Sequence, residues 1–208
     1  MKKIAVLVSG GGTNLQALID AQVRGELSGG RISLVVSSNP DAYALERARV
    51  AGIPGHVLAR KDYPSSRDYT IALTALLREM GADVVVLAGF MVILTEEIVQ
   101  AYPNKILNIH PALIPSFCGK GAYGLHVHEQ ALAYGVKVTG ATVHLVTAEP
   151  DGGPIVLQKA IDILPDDTPE SLQRRVMEQC EWKLLPEAVD LLCRDRLRVE
   201  GRIVRILP

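Results

Sequence analysis

The chain has 208 residues, 48% hydrophobic and 22% charged, the balance of a globular protein with enough apolar side chain to bury a core. A formal net charge of -1 excludes a broad nucleic-acid surface, so any anion must be held locally. No apolar run reaches the roughly 18 residues that span a membrane, and the cysteines Cys118, Cys180 and Cys193 are odd in number with no CxxC pair, which predicts free thiols in a reducing, cytoplasmic compartment.

Residues 4–8 (IAVLV) follow two lysines, like the start of a signal peptide. Gly10-Gly11-Gly12 interrupts them too soon for that, and they read as a strand. Leu15, Leu18 and Ile19 then make an apolar helical stripe, with Asn14 as its expected N-cap. Further strands are expected at Ile32–Val36, weakly around Val57-Leu58, at Val84–Ala88 and at Ile106–Ile109. Ser65 and Asp68 resemble a capping box ahead of Ile71, Leu73, Leu76 and Leu77, and Gly81 ends that helix. Strands that are apolar throughout, alternating with helices, predict an α/β fold: a doubly wound, mostly parallel sheet with helices on both faces.

The second half departs from that rhythm. Ala141–Val146 and Ile155–Ala160 read as strands joined across residues 149–154 (EPDGGP). Thr168-Pro169-Glu170 is a helix start. The helical pattern runs to about Cys193, with a kink expected at Pro186, and a terminal hairpin of Leu197–Val199 and Ile203–Ile206 comes after it. With no repeat or long linker, residues 1–208 are expected to form one domain with a strand and helix extension at its C-terminal end.

Ser9-Gly10-Gly11-Gly12-Thr13-Asn14 joins a strand to a helix, where exposed N–H groups and the helix dipole favour an anion. Phosphate binding by Gly12, Thr13 and Asn14 is the functional reading; a glycine turn without a ligand is the bland one. A dinucleotide fingerprint fits poorly, because Leu15 stands where Gly or Ala is wanted and the second strand ends in Ser37-Ser38-Asn39. A P-loop is excluded by the lack of GKS or GKT.

Alternation along the strand puts Asn108 and His110 on one face with Ile109 opposite. At the carboxyl end of a strand in an open α/β sheet, an amide can donate to a developing oxyanion and an imidazole can handle a proton. A carboxylate at Asp151 close to His110 would raise the imidazole pKa. The competing reading makes Asn108, His110 and Asp151 ordinary turn and loop residues, and spacing leaves it open. His126, His128 and Cys118 lack a complete zinc ligand set, so no metal is expected. His128 is expected to begin the helix Glu129–Tyr134, and His144 to be structural or to support a neighbouring group. Arg174-Arg175 and Arg194 to Arg198 read as solvated faces.

The segments SGGGTNLQALID at 9–20, ERARVAGIP at 46–54, ADVVVLAGFMVIL at 82–94, ILNIHPALIPSF at 106–117, HEQALAYGVKVTGATVHLV at 128–146 and DGGPIVLQ at 151–158 together cover most of the chain. They resemble the folate-dependent phosphoribosylglycinamide formyltransferases of purine synthesis. The resemblance implies formyl transfer from 10-formyltetrahydrofolate to the glycinamide amine. It implies that Asn108 bonds the formyl oxygen, that His110 stabilises the tetrahedral oxyanion and relays protons, and that Asp151 holds His110 charged. It further implies that Gly12, Thr13 and Asn14 bind the ribose phosphate, that Glu181 contacts the phosphoribosyl substrate, and that Arg67, Met91, Val92, Ile93, Leu94 and Asn108 serve the folate. Residues 1–100 become a phosphate-binding, Rossmann-like half and 101–208 a catalytic and folate-binding half.

The pattern is broken at three places. Val92 stands where relatives commonly carry arginine, Trp182 where they often carry histidine, and the 118–125 segment is longer than usual, as a flap over the site would be. Small-molecule substrates are the expected partners, without nucleic acid or membrane, and the protein is expected to be a monomer or a homodimer. A 10-formyltetrahydrofolate hydrolase would share the same residues. Such hydrolases usually carry an extra N-terminal domain, for which the early first strand leaves no room. Formyltransferases acting on methionyl-tRNA are longer and have an RNA-binding domain. A non-catalytic nucleotide-binding module would keep the glycine loop and ignore His110.

Overall fold

In the computed structural model, which describes residues 1–119 and 121–208, one nine-stranded sheet runs in the order β3-β2-β1-β4-β5-β6-β7-β9-β8. The strands are β1 (Lys2–Val8), β2 (Gly30–Ser37), β3 (Gly55–Val57), β4 (Val84–Leu87), β5 (Ile106–His110), β6 (Val138–Leu145), β7 (Ile155–Asp162), β8 (Leu197–Glu200) and β9 (Ile203–Ile206). The helices are α1 (Thr13–Val23), α2 (Tyr43–Val50), α3 (Ser66–Glu79), α4 (Glu96–Ala101), α5 (Leu125–Tyr134), α6 (Pro169–Val176) and α7 (Trp182–Cys193). Strands β1 to β5 are all parallel to one another, whereas β6 runs antiparallel to both β5 and β7.

Two cores explain why the parallel strands are apolar on both faces. On one face Ile4, Val6 and Val8 of β1 pack with Leu15 and Leu18 of α1, Ala44 and Ala48 of α2, Leu172 of α6 and Leu185 of α7. On the other, Ala5 and Leu7 of β1 pack with Tyr69, Leu73 and Leu77 of α3 and Ile98 of α4. Successive residues of one strand thus enter different cores, as a period of two requires.

The chain winds outward from β1 to β3, returns beside β1 as β4, and continues in the other direction to β5. The change of direction opens a crevice at the carboxyl ends of β1, β4 and β5, where such sheets place their ligands.

Local signals account for several element ends. Ser65 caps α3 by accepting from the Asp68 N–H. Thr168 and Ser171 form a capping box, with Pro169 in the first turn of α6. The departure expected at Pro186 lies upstream instead. Met177–Glu181 forms a π turn, in which the Trp182 N–H reaches back to the Met177 carbonyl, and Pro186 sits inside α7. Helix α5 begins at Leu125, one turn before the expected start, so His128 lies within it.

Candidate active site

The glycine loop is tied to its neighbours by backbone. The Ser9 N–H donates to the Gly89 carbonyl at 3.1 Å, and the Met91 N–H donates to Ser9 Oγ at 2.9 Å. The turns after β1 and β4 therefore form one surface. Gly12 has φ +73°, and a Cβ there would lie 2.6 Å from the Ala44 Cβ, so both conformation and space demand glycine. Gly12, not Asn14, is the N-cap of α1, and it supplies no side chain. The first intrahelical bond runs from the Gln16 N–H to the Gly12 carbonyl, which leaves the N–H groups ahead of it at the positive end of the helix.

Asn14 is used differently. Its Nδ2 donates to Oε2 of Glu181 at 2.7 Å across to the π turn. Glu181 is almost fully buried, and burial, only partly opposed by the Asn14 hydrogen bond, pushes its carboxyl up to about 7.

Asn108 and His110 stand at the end of β5, and Asp151 in the turn between β6 and β7, at φ +53°. His110 Nδ1 lies 3.7 Å from Asp151 Oδ2, and Asn108 Nδ2 donates to Asp151 Oδ1 at 3.4 Å. Asp151 is further held by the Gly119 N–H at 2.9 Å. Gly153 makes the approach possible: a Cβ there would lie 1.7 Å from the Leu145 carbonyl oxygen. His144, expected to be structural or supporting, faces the same spot. Its Nε2 is 3.1 Å from Asn108 Nδ2 and 3.5 Å from Asp151 Oδ1. Its Nδ1 lies 2.9 Å from the Leu145 carbonyl, an acceptor only, so Nδ1 carries a proton.

The expected rise in the His110 pKa is reversed. Burial lowers it, and the Asp151 charge and the Phe117 carbonyl, which Nε2 meets at 2.8 Å, do not fully compensate; His144 adds a further downward push. Taking a charged ring out of water outweighs a carboxylate 3.7 Å away. For Asp151, burial acts upward, but His144, the His110 charge and the Gly119 N–H together bring it below the ordinary value. The centre thus holds a fixed negative charge beside an imidazole that rests neutral.

These groups open into a cleft of about 600 Å³ lined by Asn14, Met91, Val92, Ile93, Leu94, Asn108, His110, Asp151 and Glu181. Leu87, Phe90 and Val146 extend its apolar wall. Thr13 faces a neighbouring cavity of about 250 Å³ with Arg47 and Trp182. Arg67 is not at the cleft: its Nε pairs with Glu97 at 2.5 Å between α3 and α4. Gln173 and Met177 line the cleft although nothing in their spacing singled them out, and so does His128, weighed above only as part of an incomplete zinc set and as a helix start. The expected flap at 118–125 includes Lys120, which lies outside the described residues; Gly119, Gly121 and Tyr123 line the cleft. Among the described residues, no group of three or more His, Cys, Asp or Glu is arranged to hold a metal ion. No helix among them is long and apolar enough to cross a membrane.

A mostly parallel α/β sheet with an amide, an imidazole and a carboxylate converging at its switch point suits acyl transfer, and the chain belongs to the formyl transferase family, which it matches over residues 2–189. It is 41% identical over 203 residues to a phosphoribosylglycinamide formyltransferase of Haemophilus influenzae, covering 98% of this chain and 92% of that one. A glycinamide ribonucleotide transformylase structure from Symbiobacterium toebii superposes with a TM-score of 0.94 at 47% identity, covering 100% of this chain and 95% of that one. A formyltetrahydrofolate deformylase structure from Pseudomonas syringae has a TM-score of 0.88 at 26% identity, with all of this chain covering 66% of that one.

Proposed function

We propose that this protein transfers the formyl group of 10-formyltetrahydrofolate to the glycinamide amine of 5-phosphoribosylglycinamide, in purine biosynthesis. The observation that carries the reading is the convergence of Asn108, His110 and Asp151 within one cleft that also reaches Asn14 and Glu181. Attack of an amine on a formyl carbon needs no protein nucleophile. It needs alignment, a donor for the oxyanion and a route for one proton from the amine to the leaving nitrogen.

Asn108 supplies the donor. Its longer bond, 3.4 Å to Asp151, is the weaker of its two and the one it gives up to the formyl oxygen. His110 starts neutral and takes the proton shed by the attacking amine, and Asp151 compensates the charge as it forms. The protonated ring then stabilises the oxyanion and returns the proton to the leaving nitrogen. Gly12, Thr13 and Asn14 hold the ribose phosphate at the amino end of α1, and Glu181 meets the phosphoribosyl group. Met91, Val92, Ile93 and Leu94 hold the folate ring against the apolar wall. The reading takes residues 1–208 as one catalytic domain acting on small molecules in the cytoplasm, as a monomer or homodimer.

The test is loss of 10-formyltetrahydrofolate with and without glycinamide ribonucleotide. Amine-dependent loss is expected, and equal loss without the amine would establish a hydrolase instead. His110→Ala should reduce turnover at least about 10²-fold, and Asn108→Ala by about 10²- to 10³-fold, while glycinamide ribonucleotide still binds in calorimetry. An unchanged rate for His110→Ala would remove His110 from the reaction, and no formyl transfer by the parent protein would leave only a binding module.

A further inference from the structure

We propose that Thr142 and Gln158 are positioning residues for the His110 imidazole, acting through the backbone of residues 112–117. The proposal rests on the role assigned to His110 in formyl transfer, and its test separates the two.

His110, Thr142 and Gln158 are neighbours in register across β5, β6 and β7: His110 stands opposite Thr142, and Thr142 opposite Gln158. The Thr142 hydroxyl is completely buried. It donates to the Ala112 carbonyl at 2.7 Å and accepts from the Ile114 N–H at 3.1 Å and from Gln158 Nε2 at 2.9 Å. A hydroxyl has one proton and two acceptor sites, so its whole capacity is committed to this brace. Gln158 Nε2 also donates to the Ile114 carbonyl at 3.0 Å. Two side chains from the antiparallel strands therefore hold both backbone polar groups of Ile114 and the carbonyl of Ala112.

The turn just beyond Ile114 shows why a brace is needed. The Ser116 N–H bonds the Leu113 carbonyl at 2.9 Å, closing a turn that delivers Phe117. Phe117 has φ +50°, a region a bulky L-residue rarely enters. Such a conformation persists only where its surroundings impose it. The carbonyl it presents lies 2.8 Å from His110 Nε2. The other polar neighbour of the ring, Asp151, is 3.7 Å away, too far for a hydrogen bond that would fix the ring alone. Phe117 thus decides which nitrogen carries the proton, and the Thr142–Gln158 brace decides where Phe117 sits. With Nε2 protonated, Nδ1 is the atom left free to gain a proton beside Asp151.

The brace is tested on the full-length protein with Thr142→Val, Gln158→Leu and Thr142→Ser. Imidazole nitrogen NMR, with His110 assigned through His110→Gln, should show the parent ring as a single Nε2–H tautomer at pH 7 to 8. Thr142→Val and Gln158→Leu should give averaged tautomer signals. They should lower kcat by roughly 10- to 100-fold while both KM values stay within about threefold, since small misplacements cost rate before binding. Thr142→Ser keeps the hydroxyl and should restore tautomer and rate. Folded variants that keep both the Nε2–H tautomer and the parent kcat overturn the proposal. Gln158 is at an exposed position of β7, so Gln158→Leu decides the matter if Thr142→Val does not fold. A parent ring that already averages its tautomers also overturns it. A fixed tautomer in a parent without formyl transfer would sink the functional reading and leave the brace standing.

Discussion

His110 has an oxygen facing each ring nitrogen, Phe117 at 2.8 Å and Asp151 at 3.7 Å. Only a doubly protonated ring donates to both, yet burial holds its pKa below 6.5. The neutral ring is therefore dominant at neutral pH, and the positive form is reached when the reaction supplies a proton. Activity should stay flat from pH 8 to 7 and fall only as the pH drops through the lowered His110 value, on the acid side of 6.5. Asp151→Asn removes a charge that raises that value, so the acid limb should move to still lower pH while kcat falls by at least about 10²-fold. The pH dependence of kcat/KM for parent and variant checks both; a rate that climbs as pH is lowered from 7 to 6 would show that the charged ring is the working form.

At the scale of elements, two crowded backbones place the reacting groups. Gly12 carries the entry of α1 past Ala44, and Gly153 carries the turn after Asp151 past the Leu145 carbonyl. A Cβ at Gly153 would meet a backbone oxygen at 1.7 Å, and that oxygen belongs to a paired strand and has no room to yield. Gly153→Ala should destabilise by about 3 kcal/mol or more and displace Asp151, lowering kcat even in folded molecules. Gly10→Ala, with nothing within 4 Å of the added atom, should change stability by less than about 0.5 kcal/mol. Urea unfolding of both variants checks the contrast, and equal losses would mean that the Leu145 crossing relaxes. The π turn contributes in the same way: one extra residue rotates Glu181 by about 100° relative to an unbroken helix, toward Asn14.

For the whole molecule, two buried groups tilt stability in opposite directions. His128 is fully buried, and burial together with the His110 charge lowers its pKa to about 4 from 6.5. Its stabilising share is present above 6.5 and lost as pH falls toward 4. Glu181, raised to about 7 from 4.5, behaves in reverse, with its share present below 4.5 and lost as pH rises toward 7. Each amounts to about 3 kcal/mol, and between these values the slopes largely cancel in the parent. His128→Leu should expose a loss of stability with rising pH from 4.5 to 7, and Glu181→Gln a loss with falling pH from 6.5 to 4. Chemical denaturation across that range checks both signs, and parallel profiles for the two variants would remove the compensation.

The sequence by itself determined what is local or periodic. Apolar runs specified β1, β2, β4 and β5, the Thr168-Pro169 start specified α6, and alternation put Asn108 and His110 side by side, because each of these depends on neighbours a few residues away. Tertiary structure alone decided the rest. Asn14 forgoes a cap to meet Glu181, 167 positions along the chain, and Arg67 turns to Glu97 rather than to the cleft. His144 joins the reacting centre through the β5–β6 register, which no spacing within either strand encodes. The His110 pKa moved against expectation for the same reason: the carboxylate partner was legible as a residue, but the loss of water around the ring exists only once β5, β6 and the 112–117 turn have closed over it.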